Sequence, residues 1–166
     1  MRQVVSLITT TSRVSSRLVA YFCVGLIYLI LGLLVTQVLM RYFLGAPPSW
    51  TEELAIILFA WLVLLYATVG LYEGFHVAIE SIPARFERLH RWADRWVAAL
   101  TILFGWITLT SGIAYVDRTV GQKTAALQIP IEVLYLCVPV SGVLFILHGV
   151  SRLIGPAEPA PEEAPS

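Results

Sequence analysis

Apolar and polar positions divide this chain into blocks. Residues 18–40, 54–72, 96–116 and 133–151 form four runs without Asp, Glu, Lys or Arg. Each is about 19 to 23 residues long, enough for a helix to cross a hydrocarbon layer of roughly 30 Å. The pattern predicts an all-α membrane protein of four transmembrane helices. The first run is too long for a secretory signal core, and no small-x-small cleavage site follows it, so it is expected to remain as an anchor.

Between the second and third runs, SIPARFERLHRWADRW changes period. Ile82, Phe86, Leu89, Ala93 and Trp96 recur every three or four residues, while Arg85, Arg88, Arg91 and Arg95 lie largely off that stripe. This predicts an amphipathic helix over about 81–95, lying on the membrane surface with its basic face toward lipid headgroups. Pro83 is tolerated in its first turn, and a solvated loop is the alternative. Residues 1–17, rich in Ser and Thr with three arginines, read as a cytoplasmic lead-in along an anionic leaflet. The Pro/Glu-rich tail, 153–166, is expected to be disordered.

Composition agrees with a membrane class: 58% of residues are hydrophobic, 13% are charged, and the mean hydropathy is +0.79. Such spans leave no length for a soluble catalytic domain. Net charge is zero, yet the positive charges are unevenly placed. With the N-terminus in the cytoplasm, Arg2, Arg13, Arg17, Arg85, Arg88, Arg91, Arg95 and Arg152 lie inside, and only Arg41, Arg118 and Lys123 lie outside. The positive-inside rule therefore predicts an N-in, C-in topology. Tyr21, Tyr72, Trp92 and Trp96 then form an inner aromatic belt, with Tyr42, Trp50, Tyr115 and Tyr135 in the outer one. Cys23 and Cys137 fall near opposite faces and are expected to be packed thiols, not a disulfide.

In the third span, Ala98, Thr101, Gly105, Thr108 and Gly112 share one helix face. Small residues let backbones approach closely, which in lipid replaces the missing hydrophobic drive for association. The glycine pairs Gly25/Gly32, Gly70/Gly74 and Gly142/Gly149 suggest similar contacts. Trp61 and Trp106 sit near mid-depth, where an indole N–H needs a partner, so both are expected to face protein.

Signs of chemistry are sparse. An ion-coupled carrier usually keeps an ionisable group within its spans, and these runs hold none. A path through this chain alone would rest on Thr36, Gln37, Thr68, Thr108, Ser111 and backbone carbonyls. No Gly-rich phosphate loop, HExxH, GxSxG or CxxC is present, so no enzymatic activity is expected and no cofactor or metal is implied. Two rival classes are a stand-alone small carrier or channel and a haem or quinone anchor, the latter resting on His76 and His148. Nothing suggests nucleic-acid binding.

The outer hairpin RYFLGAPPSWTEELA carries the remaining charges. Glu52 and Glu53 open the second span, where unpaired N–H groups favour carboxylates, and Ser49 or Thr51 is placed to cap it. Gln37 lies one turn below Arg41. The hairpin is either a self-satisfied helix start or a clamp in which Arg41 and a glutamate pair with each other or with a neighbouring chain.

That hairpin, followed by a span ending in GLYEGFHVAIE, resembles the small membrane subunit, DctQ-type, of tripartite ATP-independent periplasmic (TRAP) transporters. The matching positions are Arg41, Pro48, Trp50, Glu53, Leu54, Ala55, His76 and Glu80. KTAALQIPIEVLYLCVPVSG, with Pro130 and Pro139, resembles the family's approach to its fourth span. The likeness covers roughly 18–152. Glu80 stands where the family more usually has Asp, Glu73 where a basic residue is common, and Tyr66 where glycine is frequent.

The resemblance implies a multi-pass subunit of the bacterial inner membrane, an accessory scaffold in sodium-coupled organic-acid uptake. Its implied partners are the large membrane subunit, DctM-type, which holds the substrate and sodium sites, and a periplasmic substrate-binding protein that it helps to dock. Arg41, Trp50, Glu52, Glu53, His76 and Glu80 become subunit-interface or structural candidates. A basic helix anchored at Trp92 and Trp96 would help the scaffold resist a moving transport domain.

Overall fold

The computed structural model describes residues 2–45, 48–73 and 87–154. The described chain is helical apart from its connections. The elements are α1 (Arg2–Leu44), α2 (Ser49–Glu73), α3 (Glu87–Thr119), the single turn α4 (Glu132–Tyr135) and α5 (Cys137–Ile154). Four helices are long and apolar enough to cross a membrane, in agreement with the four apolar runs.

Helix boundaries exceed the uncharged runs. α1 has 43 residues, roughly 65 Å, so it extends well beyond one hydrocarbon thickness. Residues 2–17, read from sequence as a lead-in, are the first turns of this helix. Gly45, at φ 69°, ends it in the left-handed region that glycine adopts without strain. At the other basic stretch, residues 87–95 run without a break into the third span as part of α3. Residues 81–86 lie outside the described residues, as does the tail from 155.

α5 occupies the middle of the bundle. It packs on α3 along one side and on α2 and α1 along another, and α1 and α2 form an antiparallel hairpin. Within their most apolar windows, 39% of the span Glu132–Ile154 is buried against 11% of Ser6–Phe43. α1 turns inward a seam of Ser12, Ser16, Val19, Cys23, Leu26, Ile30, Leu33, Gln37 and Met40. Those positions alternate in steps of four and three, the 3.5-residue period of a left-handed helix seam. Gly25 and Gly32 fall off this seam, and a Cβ at either would meet no atom within 4 Å. They are therefore not packing glycines within this chain.

The closest helix approach is between α3 and α5. The stripe Ala98, Thr101, Gly105, Thr108 and Gly112 faces α5, which answers with Gly142 and Gly149. A Cβ on Gly105 would stand 2.9 Å from the backbone nitrogen of Ile146, and one on Gly142 would stand 2.6 Å from that of Leu109. A Cβ on Gly112 would strike the Pro139 ring at 2.8 Å. Such approaches require the missing side chains, because backbone atoms cannot rotate aside. Phe104 and Phe145 fill the flank edge to face, their centroids 5.3 Å apart. Trp106, one residue beyond Gly105, is turned about 100° away and is 59% exposed, so the expectation that it faces protein does not hold within this chain.

Pro139 also explains why the fourth span is divided. Without an N–H it cannot bond to the carbonyl of Tyr135. The helix pauses at Leu136, and Val140 resumes the ladder by donating to the Leu136 carbonyl at 3.2 Å.

Candidate functional site

The outer hairpin and the loop joining α3 to α4 come together at one end of the bundle. Residues 120–131 form a compact turn closed by an antiparallel bridge between Lys123 and Pro130. Thr124 N–H donates to the Ile129 carbonyl at 2.9 Å, and Ile131 N–H to the Gln122 carbonyl at 3.0 Å. Gly121, at φ 84°, lets the chain leave α3, and its N–H donates to Glu132 Oε1 at 2.9 Å.

Glu53 ties this turn to α2. Its Oε2 accepts from Ala126 N–H at 2.7 Å and its Oε1 from Leu127 N–H at 3.4 Å, with the Thr124 hydroxyl also within reach. A carboxylate bridging backbone donors more than seventy residues away in sequence sets the position of the loop tip. This differs from the expected helix-cap role. α2 already begins at Ser49, Pro48 precedes it, and the Thr51 hydroxyl donates to the Pro48 carbonyl at 2.7 Å rather than accepting a helix N–H. Glu52 occupies the first turn and is exposed.

Arg41 is exposed, and among the described residues it pairs with neither glutamate; Glu53 is engaged with the loop. Trp50, at the start of α2, is 40% exposed. The hairpin therefore presents Arg41, Trp50 and Glu52 outward while Glu53 works inside the chain. His76, Glu80 and Arg85 lie outside the described residues. Arg88 and Arg91 fall in the first turns of α3, and Arg95 is exposed.

Two further polar contacts span the bundle. Trp61 Nε1 donates to the Val133 carbonyl at 2.9 Å, joining α2 to α4, in line with the expectation that its indole needs a protein partner. At the opposite end Ser12 and His148 meet, Oγ to Nδ1, at 2.7 Å, with both side chains buried. His148 is thus engaged with α1, which gives the haem-pair reading no support. Cys23 and Cys137 are buried free thiols, as expected. Among the described residues no group of three or more His, Cys, Asp or Glu could hold a metal ion.

None of these three links was legible in sequence, because each bonds a side chain to an element far along the chain and leaves no local periodicity. The Trp61 bond yields a direct expectation. Trp61→Phe removes the donor and leaves the Val133 carbonyl with one bond fewer. Interhelical bonds in membranes average about 0.6 kcal/mol and reach about 1.7. A lowered thermal midpoint in detergent, with helicity unchanged, is the expected result.

Residues 30–158 match the family described as tripartite ATP-independent periplasmic transporters, DctQ component. The chain belongs to this family. It is 28% identical over 145 residues to an isethionate TRAP transporter permease protein DctMQ of Oleidesulfovibrio alaskensis, covering 81% of this chain and 22% of that one. It is 30% identical over 117 residues to a C4-dicarboxylate TRAP transporter small permease protein DctQ of Rhodobacter capsulatus, covering 67% of this chain and 50% of the relative. A small permease DctQ of Vibrio cholerae, also named for C4-dicarboxylates, is 31% identical over 84 residues, 48% of this chain and 34% of the relative. The chain thus spans half or less of the length of these curated relatives. Family membership makes this DctQ-type chain a multi-pass membrane protein and a transporter component, from a family of transporter subunits rather than of enzymes.

Proposed function

We propose that this DctQ-type chain is an accessory scaffold subunit of an ion-coupled organic-acid uptake transporter in the bacterial inner membrane. Its partner is a large membrane subunit that holds the substrate and sodium sites, and a periplasmic binding protein delivers the solute. Two relatives are named for C4-dicarboxylates and one for isethionate, all organic anions, and the name DctMQ joins the two membrane components in one chain. Both termini lie in the cytoplasm in this reading, which places the Glu53-braced loop in the periplasm, where a binding protein docks. The basic stretch 81–95 meets the cytoplasmic surface.

The observation that carries the proposal is the disposition of polar groups. Thr36, Thr68, Thr101 and Ser141 each return a hydroxyl to their own helix and Trp61 is spent on Val133, which leaves Gln37 and Thr108 as the path candidates turned inward without such a bond. The bundle interior is closed by glycine contacts, whereas broad apolar faces of α1 and α3 look outward. A scaffold needs such faces; a solute path needs a continuous line of inward polar groups that are not already engaged, and two isolated side chains do not make one.

Vesicles holding only this chain are expected to show no solute uptake, with uptake appearing when the large subunit and binding protein are supplied. Flux through this chain alone would overturn the reading. Arg41→Ala is expected to reduce recovery of the large subunit on an affinity-tagged small subunit several-fold, while solute binding by the periplasmic protein stays unchanged. Undiminished recovery would remove Arg41 from the interface.

A further inference from the structure

The structure sets two arginines of α1 in a continuous helix that is pinned to the bundle, not in a separate lead-in. Ser12 is held at the level of His148, one turn before Arg152 near the end of α5. α3 marks the same end, because the Ala98 carbonyl lies 3.3 Å from where a Cβ on Gly149 would stand, setting Arg95 at about the level of Arg152. Glu53, near the start of α2, reaches the loop that precedes α4, so α2 runs parallel to α5 and α1 antiparallel to it. Moving from Ser12 to Arg17 therefore goes into the bilayer. Arg17 directly precedes the uncharged run 18–40, whose length of about 34 Å fills a hydrocarbon layer of roughly 30 Å, so Arg17 stands at the layer's edge with Arg13 one turn outside it.

Arg13 and Arg17 are one turn apart and both exposed, beside exposed Val14 and Leu18. No Asp or Glu occurs in the chain before Glu52, and among the described residues neither arginine has an acidic partner. Tyr21, 77% exposed, continues the same side one turn deeper, followed by Gly25, Tyr28 and Gly32, where the glycines leave open space along the helix. A guanidinium at the edge of the hydrocarbon is unfavourable unless it reaches polar partners in the headgroup layer. Side chains on a helix lean toward its N-terminus, which here is the direction of the interface, so both guanidinium groups can reach upward.

We propose that Arg13 and Arg17 bind the phosphodiester of one anionic phospholipid. The two forks grip the phosphate oxygens, Tyr21 stands at the glycerol level, and an acyl chain lies along the open Gly25 to Gly32 side of α1. Phosphate matches guanidinium geometry with paired hydrogen bonds, and lipid is the phosphate source already present at this depth on an apolar face. Ser12 fixes the register by pinning α1 to α5. The proposal rests on the chain spanning a membrane and not on its place in a transporter, so its test reads lipid rather than transport.

The full chain, purified in mild detergent, is titrated with cardiolipin, phosphatidylglycerol and phosphatidylcholine, and bound lipid is counted by native mass spectrometry. The wild type is expected to retain one anionic phospholipid at least tenfold more tightly than phosphatidylcholine. Arg13→Gln/Arg17→Gln should lose that preference, and Arg13→Lys/Arg17→Lys should keep part of it, with thermal midpoints near the wild-type value confirming intact folds. Equal anionic-lipid binding by wild type and the glutamine variant would overturn the proposal. So would displacement of the lipid by millimolar inorganic phosphate, which would identify a free-phosphate site. Unchanged lipid retention combined with lost recovery of the large subunit would assign the arginines to a protein carboxylate and overturn it equally.

Discussion

A Gly142→Val chain is expected to fail to bring its last two long helices together. At Gly142 an added Cβ would stand 2.6 Å from the backbone nitrogen of Leu109, 2.8 Å from its Cα and 2.9 Å from the Gly105 carbonyl oxygen. All three obstacles are backbone atoms of α3, so no rotamer change relieves them. The helices must separate along the whole stripe, which also withdraws Phe104 from Phe145 and Pro139 from its seat on Gly112. Overpacking typically destabilises by about 1 to 3 kcal/mol and occasionally more where neighbours cannot yield. Loss of the monodisperse peak in detergent size exclusion, or a large fall in thermal midpoint, is the expected reading. Gly25→Val, at a position with open space, serves as the matched control and should change neither. Equal behaviour of the two variants would mean that the α3 and α5 contact contributes little.

Glu53→Ala is expected to release the loop tip without unfolding the bundle. The substitution removes the acceptor for Ala126 and Leu127 N–H groups, while the Lys123 to Pro130 bridge and the Gly121 to Glu132 bond remain. Hydrogen exchange at Ala126 and Leu127 should accelerate several-fold, and trypsin should cut more readily after Lys123. The α3 and α5 amides should keep their protection. Glu53→Gln keeps an acceptor oxygen but lacks the charge that strengthens such bonds, so it should fall between the two. If the loop also forms part of a docking surface, recovery of the assembled transporter should follow the same order. Exchange unchanged in Glu53→Ala would show that the bridge alone holds the loop.

Several features were legible in the residues alone because membrane physics acts on composition. Long uncharged runs must become helices, since hydrocarbon offers no partner to unpaired backbone groups. The Ala98 to Gly112 stripe was readable for a related reason: small residues at helical spacing stand out against a background of Leu, Ile and Val. The family was readable as well, because RYFLGAPPSWTEELA keeps its order across a hairpin. The start of α2 was less legible, since Ser49, Thr51 and Glu53 are all plausible helix-start residues by type.

Other features depended on the tertiary arrangement. In the span 18–40 of α1 nearly every position is apolar, so hydropathy contains no information about which side faces the protein. Only the fold sets the seam through Cys23, Leu26 and Gln37 and turns Gly25 and Gly32 outward. Glu53 exchanges an expected capping role for a loop latch because residues 120–131 happen to arrive beside it. Arg13 and Arg17 pass from a lead-in to the exposed side of a pinned helix because Ser12 meets His148. Sequence by itself determined the class, the four spans and the small-residue face, all consequences of placing a chain in an apolar solvent. The pinning of α1 at Ser12, the partner of Glu53 and the central position of α5 were decided by contacts between distant segments, which no local pattern encodes.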